Sequence, residues 1–253
     1  MNAMLFAAGL GTRLKPLTDD RPKALVEVNG KTLLEHNILK LKDAGFDHIV
    51  VNVHHFGEQI IGFLQDHDNF GIDIRVSDER QKLLDTGGGL KHAIPLFDER
   101  GPILVHNVDI ISNIDLNELY RQHVSYVGEN SSKVLCATLA IHKRTTSRYL
   151  MFDSEKNVCG WTNVKTGAVK GMMGEKYAYA GIQVIDQNLF PYLCAKEKDA
   201  FPIIDFYLDI CHRVALAGAD VTGKAWVDCG KPEALEIAVR LLNDEGQTTV
   251  KLK

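Results

Sequence analysis

Apolar positions along this chain follow two rhythms, and the change between them falls near residue 130. In the first half, short apolar runs alternate with helical periods. Met4–Ala8 is an apolar run that ends in glycines and reads as a buried strand. Thr32–Ala44 carries Leu33, Leu34, Ile38, Leu41 and Ala44 at helical spacing, with Gly45 as the stop. His48–Val53 predicts a second strand, Gly57–Gln65 the next helix and Ile72–Val76 a third strand. The glycines at 87–89 open a helix through Phe97, Pro102–Val108 is a fourth strand running into Asp109, and Leu116–Tyr126 is helical. Strands separated by helices of this length imply βαβ units and a mostly parallel sheet. The near-continuous apolar strands call for cover on both faces.

In the second half, Val134–His142, Arg148–Asp153, Val158–Trp161 and Tyr177–Ile185 read as strands, with no helix among the first three. Asp153–Asn157 is a turn signal between two of them and predicts a hairpin. Helical patterns return at Asp186–Cys194 and Pro202–Ala217. A short strand over Asp220–Ala225 then leads to Trp226, and a last helix spans Pro232–Asn243 with Pro in its first turn. The expectation is one domain over 1–245: a nucleotide-binding half at 1–130, an acceptor half at 131–230, a C-terminal helix at 231–245, and a frayed polar tail at 246–253.

Composition narrows the classes. No apolar run reaches the roughly 18 residues of a membrane span. The first cations, Arg13 and Lys15, follow the first apolar run instead of preceding it, so that run reads as a strand and not as a signal peptide. A net charge of -4 without a basic tract argues against nucleic acid as partner. Five scattered cysteines, none spaced C-x-x-C, argue against zinc and disulfides and fit the reducing cytoplasm. His54-His55 has no third ligand at metal spacing and reads as a structural pair.

The chemistry concentrates in Ala7-Ala-Gly-Leu-Gly-Thr-Arg13 and Arg21-Pro-Lys23. Gly9 and Gly11 follow a strand directly, where backbone without a Cβ can turn sharply and aim N–H groups at phosphate. Arg13 adds a planar fork of donors and Lys23 a movable point charge. Two commoner phosphate loops do not fit: the dinucleotide fingerprint needs glycine where Leu14 stands, and the P-loop needs glycine where Leu25 stands. Asp109 ends a buried strand, where open α/β sheets bind ligands, and Asp228 follows a later strand. Two converging carboxylates suit Mg²⁺; a turn or cap role explains a single Asp at a strand end as well.

The pattern GxGTRLxPLTxxxPK over Gly9–Lys23 resembles the signature of the nucleotidyltransferases that join a nucleoside triphosphate to a sugar 1-phosphate. The likeness continues through Thr86–Gly89, Asn107–Asp109, Tyr179–Ile182 and Trp226–Gly230, nearly the whole chain. Length and the Asp85–Gly89 segment look most like the small subgroup of N-acetylmuramate-1-phosphate uridylyltransferases and heptose- or mannose-1-phosphate guanylyltransferases. The 253 residues leave no room for the C-terminal left-handed β-helix of longer members.

The resemblance implies a Rossmann-like α/β fold: a mixed, mostly parallel sheet, helices on both faces, and a small β-hairpin acceptor region. It implies UTP or GTP and a sugar 1-phosphate as partners, Mg²⁺ on Asp109 and Asp228, and a monomer or small homo-oligomer. Ala7, Ala8, Gly9, Gly11, Thr12, Arg13, Thr86, Gly87 and Gly88 become the nucleotide contacts, the last three as a flat backbone approach for the base. Arg13 and Lys23 become the catalytic cations, and Lys23, Asn163, Tyr179, Gly181 and Arg148 the acceptor contacts; surface charge or strand pairing explains Arg148 and Asn163 equally well. Many relatives have Gly before the aspartate where this chain has Val108, which narrows the metal pocket. A sugar 1-phosphate arrives ionised, since its second pKa is about 6, so no general base is required. Transfer to phosphocholine, with a cage from Trp161, Tyr177 and Tyr179, and a non-catalytic nucleotide sensor are the alternatives.

Overall fold

The structure, a computed structural model, describes residues 1–98, 101–126 and 133–250, with side chains through residue 244. In chain order the elements are β1 (Asn2–Phe6), β2 (Glu27–Val28), β3 (Lys31–Thr32), α1 (Leu33–Asp43), β4 (His48–Val53), α2 (Gly57–Asp66), β5 (Asp73–Asp78), α3 (Asp85–Ala93), β6 (Ile103–Asn107), β7 (Ile110–Ser112) and α4 (Leu116–Val124). There follow β8 (Leu135–His142), β9 (Arg148–Phe152), β10 (Val158–Asn163), β11 (Ala168–Gly171), β12 (Glu175–Ile185), α5 (Phe190–Cys194), α6 (Ile203–Ile210), β13 (Ala215–Asp220), β14 (Trp226–Asp228) and α7 (Pro232–Val250). This is an α/β chain with a mixed central sheet and helices. It divides into two compact units: one holds Ala3–Leu83, His106–Asp115 and the chain from Gly223 on, the other Met1–Asn2, Leu84–Val105 and Leu116–Thr222.

In the first unit β1, β4 and β5 are neighbours in that order, and β4 runs parallel to β5 from His48↔Asp73 to Val53↔Asp78. Every residue of β4 is buried, as its unbroken apolar pattern requires. Helix α1 starts at a Thr32 cap whose Oγ1 accepts from Glu35 N at 3.0 Å. It buries Leu33, Leu34, Ile38 and Leu41 and stops before Gly45, which stands at φ 86°. Short β7 and β14 pair antiparallel, Asp228 opposite Ile110. Helix α7 closes a core of Leu14, Val26, Val28, Leu33, Ile111, Val227, Cys229 and Ala238. It extends past the expected end at Asn243 to Val250, and residues 251–253 of the expected tail lie outside the described residues.

In the second unit β9 and β10 form the expected hairpin. Asp153 makes its turn by accepting from Glu155 N (3.0 Å) and Asn157 N (2.9 Å). The long β12 pairs antiparallel with β9 near its start and with β8 further along, and β13 runs parallel to β8. Here the sequence pattern misleads twice. The helix expected to reach Ala217 ends at Ile210, and the strand expected over Asp220–Ala225 lies earlier, at Ala215–Asp220. The run Ala-Leu-Ala-Gly-Ala has helix-favouring residues, but pairing with β8 outweighs local propensity. Gly218 fits there because a Cβ would stand 2.6 Å from Ile141 Cδ1. Strand β11 escaped notice because all four of its residues are exposed, so it carries no burial signal. The expected half-boundary at residue 130 lies outside the described residues.

All five cysteines are free thiols, and no helix among the described residues is long and apolar enough to cross a membrane. His106 at the end of β6 is fully buried; its Nδ1–H donates to Asn107 O at 2.8 Å, and burial lowers its pKa to about 3. A histidine held neutral in this way binds its proton more readily in the unfolded chain. Its contribution is therefore present above the unfolded value near 6.5 and is lost as pH falls toward 3. The urea midpoint should decline over that window with a shallower slope in His106→Gln, and equal slopes would refute the assignment.

Candidate functional site

Strand β1 delivers the chain to a turn whose backbone donors are already divided. Ala7 N and Ala8 N both donate to the Asn52 side chain, at 2.7 and 3.3 Å, so these two residues are fixed by β4. Gly9 follows, exposed, and a Cβ built on it would meet nothing within 4 Å. Gly11 differs: it sits at φ 64°, and a Cβ would stand 3.0 Å from Thr18 Cγ2 and 3.1 Å from Lys23 Cβ. Its carbonyl accepts from Thr18 Oγ1 and Leu14 N, both at 2.9 Å, which closes a single turn of 3-10 helix over Thr12–Leu14. Leu14 anchors that turn in the core, leaving Thr12 and Arg13 exposed.

Lys23 starts a second 3-10 turn after Pro22, and its Nζ forms an ion pair with Asp109 Oδ2. Both side chains are mostly buried, 12% and 16% exposed. Asp109 lies between β6 and β7, and its carbonyl accepts from Cys229 N at 2.8 Å. That bond and the Asp228↔Ile110 register bring the strand ends bearing the two aspartates side by side. Asp228 Oδ1 accepts from Gly230 N at 2.8 Å. A Cβ on Gly230 would strike the Arg13 guanidinium, with Asp228 Oδ1 at 2.7 Å from the same point. Gly230 thus gives Arg13 its place beside Asp228. Between the aspartates Cys229 is wholly buried; burial and then the charges of Asp109 and Asp228 push its thiol up to about 12, against the pull of Lys23. It stays neutral.

Arg13, Lys23, Asp109 and Asp228 all belong to the first unit. Val108, the residue before Asp109, is itself buried, its N–H on Phe6 O (3.2 Å) and its carbonyl on Asn37 Nδ2 (2.9 Å). Two carboxylates offer a divalent cation hard oxygen ligands. No group of three or more His, Cys, Asp or Glu that could hold a metal occurs among the described residues. The donor set fits Mg²⁺, which takes one or two carboxylates and completes its shell with phosphate oxygens and water. His54 is structural, its Nδ1–H on Glu79 O at 2.7 Å.

The remaining candidates lie in the second unit. The N–H groups of Gly87 and Gly88 both donate to Phe201 O, at 2.8 and 3.3 Å, and Ile203 N donates to Thr86 Oγ1 at 2.9 Å. A Cβ at Gly87 would enter the Phe201 ring and one at Gly88 the Asp199 carbonyl. The space expected to be an open approach at these two glycines is therefore filled by the chain's own 199–201 segment. Arg148 and Asn163 stand opposite each other across β9 and β10. Tyr179 and Gly181 lie on β12, at a bulge where the register with β8 shifts between Tyr179 and Gln183, and Gly181 has φ 78°. Burial raises the Tyr179 phenol pKa, and the residue's carbonyl accepts from Arg144 Nη2 at 3.3 Å. Asn52 and Phe201 were missed; an Asn inside the apolar run His48–Val53 was the one available sign of the first.

The sequence profile of the nucleotidyl transferase family matches residues 2–245. The chain belongs to that family. Over 111 residues this family member is 50% identical to N-acetylmuramate alpha-1-phosphate uridylyltransferase of Caulobacter vibrioides, covering 43% of this chain and 46% of that protein. It is 28% identical over 256 residues to mannose-1-phosphate guanylyltransferase 1 of Arabidopsis thaliana, covering 96% of this chain and 65% of the relative. The chain thus spans about half to two thirds of these curated relatives, both of the subgroup that its motifs resemble. The crystal structure of HddC from Yersinia pseudotuberculosis complexed with GMP-PN has a TM-score of 0.72 at 20% identity, over 95% of this chain and 99% of that one, a likeness of fold.

The two loop glycines should separate by stability. Gly9→Ala places its methyl in open space and should leave the melting temperature unchanged. Gly11→Ala must hold an L-residue at positive φ against Thr18 and Lys23, at a cost of about 1–2 kcal/mol. Equal melting temperatures for the two variants would contradict this reading.

Proposed function

We propose that the chain transfers a nucleotidyl group from a nucleoside triphosphate, UTP or GTP, to a sugar 1-phosphate. An oxygen of the sugar phosphate bonds to the α-phosphorus, the bond to the β-phosphate oxygen breaks, and pyrophosphate leaves. The observation that carries this is the convergence, within one compact unit, of an open glycine turn, two cations and two carboxylates. The nucleophile is already ionised near neutral pH, so the protein's task is alignment and charge neutralisation. The backbone from Gly9 and the Arg13 guanidinium hold the β- and γ-phosphates. Lys23 exchanges its Asp109 partner for the incoming and α-phosphates. Asp109 and Asp228 hold Mg²⁺, which supplies charge neutralisation to the crowded phosphate oxygens. The named activities of the uridylyl- and guanylyltransferase relatives support this reaction class, and the setting we propose is the cytoplasm, with the protein a monomer or small homo-oligomer.

The phosphocholine alternative has less to stand on. Tyr177 is buried and meets Phe152 edge-on, while Trp161 carries the Lys170 ammonium 5.6 Å from its ring, so neither presents a free cage wall.

Pyrophosphate release from four nucleoside triphosphates against a panel of sugar 1-phosphates and phosphocholine tests the proposal; silence across all pairs would overturn it. Lys23→Ala should lose about a hundredfold or more in turnover with an unchanged circular dichroism spectrum, and near-parental release would remove Lys23 from its role. Asp109→Asn should abolish Mg²⁺-dependent release, and activity persisting in chelator would defeat the metal assignment.

A further inference from the structure

The loop between β1 and Gly9 is held by a chain of polar groups that the phosphate chemistry does not itself require. Asn52, 3% exposed on β4, accepts from Ala7 N and Ala8 N through Oδ1. Its Nδ2 donates to Glu79 Oε1 at 2.7 Å, and Glu79 is 2% exposed. Glu79 is itself pinned to the end of β4, its N–H on Val53 O at 2.8 Å and its carbonyl receiving His54 Nδ1–H at 2.7 Å. All of these residues lie in the first unit.

A carboxamide presents oxygen on one side and N–H on the other, and rotation exchanges them. Two backbone donors on one side and a carboxylate on the other leave only one orientation satisfied. We propose that Asn52 and Glu79 are positioning residues for nucleotide binding: Glu79 turns the Asn52 amide so that its oxygen takes up the Ala7 and Ala8 donors. This sets the direction in which the chain leaves β1 and reserves the backbone from Gly9 onward for the triphosphate. The proposal rests on the reading that this loop binds a nucleoside triphosphate, and it adds residues outside the loop that determine how well it does so. Loss of the arrangement would leave buried donors unmatched or turn the loop, and would be felt in nucleotide affinity before acceptor affinity.

Asn52→Asp keeps an acceptor for both N–H groups but sets a second carboxylate against Glu79. Asn52→Asp combined with Glu79→Gln restores the pairing in reverse: the amide now stands on the β5 side and donates, and the carboxylate on β4 accepts on both sides. Binding of UTP and GTP, without acceptor, should weaken about tenfold or more in Asn52→Asp, of the order expected for one unmatched buried group. In turnover the KM for the triphosphate should rise with it, while the KM for the sugar phosphate changes little. The double variant should recover to within about threefold of the parent. Melting temperatures measured alongside separate folding from positioning. Unchanged nucleotide affinity in a folded Asn52→Asp, equal shifts in both KM values, or a double variant that regains its melting temperature but not its affinity would each overturn the proposal. A parent chain that binds nucleotide but releases no pyrophosphate would instead sink the transfer reaction, leaving the affinity comparison to decide on Asn52 and Glu79.

Discussion

Asp109 comes out of a buried apolar strand with its carboxylate largely withdrawn from water, and a charge so placed has to be met by an opposite one. Much of the first unit follows from that requirement. Lys23 supplies the countercharge, and it reaches Asp109 because Pro22 and a single 3-10 turn set its backbone there. Asp228 stands on the neighbouring strand end, and the Arg13 guanidinium lies across a position that only the glycine at 230 leaves open. Between them Cys229 remains a neutral thiol, since burial beside two carboxylates disfavours a third negative charge. Lys23 so arranged answers a carboxylate in the free chain, and under the proposed reaction it answers phosphate in its place, because both are oxyanions.

Glycine recurs through this chemistry for four separate physical reasons. At Gly11 the backbone itself demands it, through a positive φ. At Gly230 an arginine side chain of the same unit occupies the space. At Gly87 and Gly88 the obstacle is the chain's own segment at Asp199 and Phe201. At Gly9 nothing in the protein objects to a side chain, and in the proposed reaction the triphosphate takes that space. One letter in the sequence thus stands for backbone conformation, packing and recognition, and only the surroundings separate them.

The same distinction explains how far the sequence could be read. Strands such as β4 and helices such as α1 were legible because burial and capping write themselves into residue types: six buried positions in a row, a Thr before the first turn. The segment with Gly9, Gly11, Arg13 and Lys23 stood out because charge cannot be placed at will beside a strand end. What stayed hidden was decided by partners distant in sequence. Strand β13 is a strand because β8 lies beside it, and β11 has no buried face to announce it. The role of Asn52 depends on Glu79, 27 positions later, and on Ala7, 45 positions earlier.

The acceptor side shows the limit of the charge argument. Arg148 and Asn163 face each other across two strands, and such a pairing satisfies a hairpin as well as it would satisfy a sugar. Neutral hydroxyls impose no large electrostatic cost when left to water, so the residues that recognise them need not be buried, paired or strained. The proposed phosphate role, by contrast, calls for a charge set among strand ends, and Lys23, largely buried there, rests on the Asp109 carboxylate. The proposed reaction therefore shows in the sequence through the charged half of its substrates. Under the proposed reaction the sugar contacts are ordinary ones, and a feature such as the bulge at Tyr179–Gly181, where β12 departs from its register with β8, has no charge to mark it in the sequence.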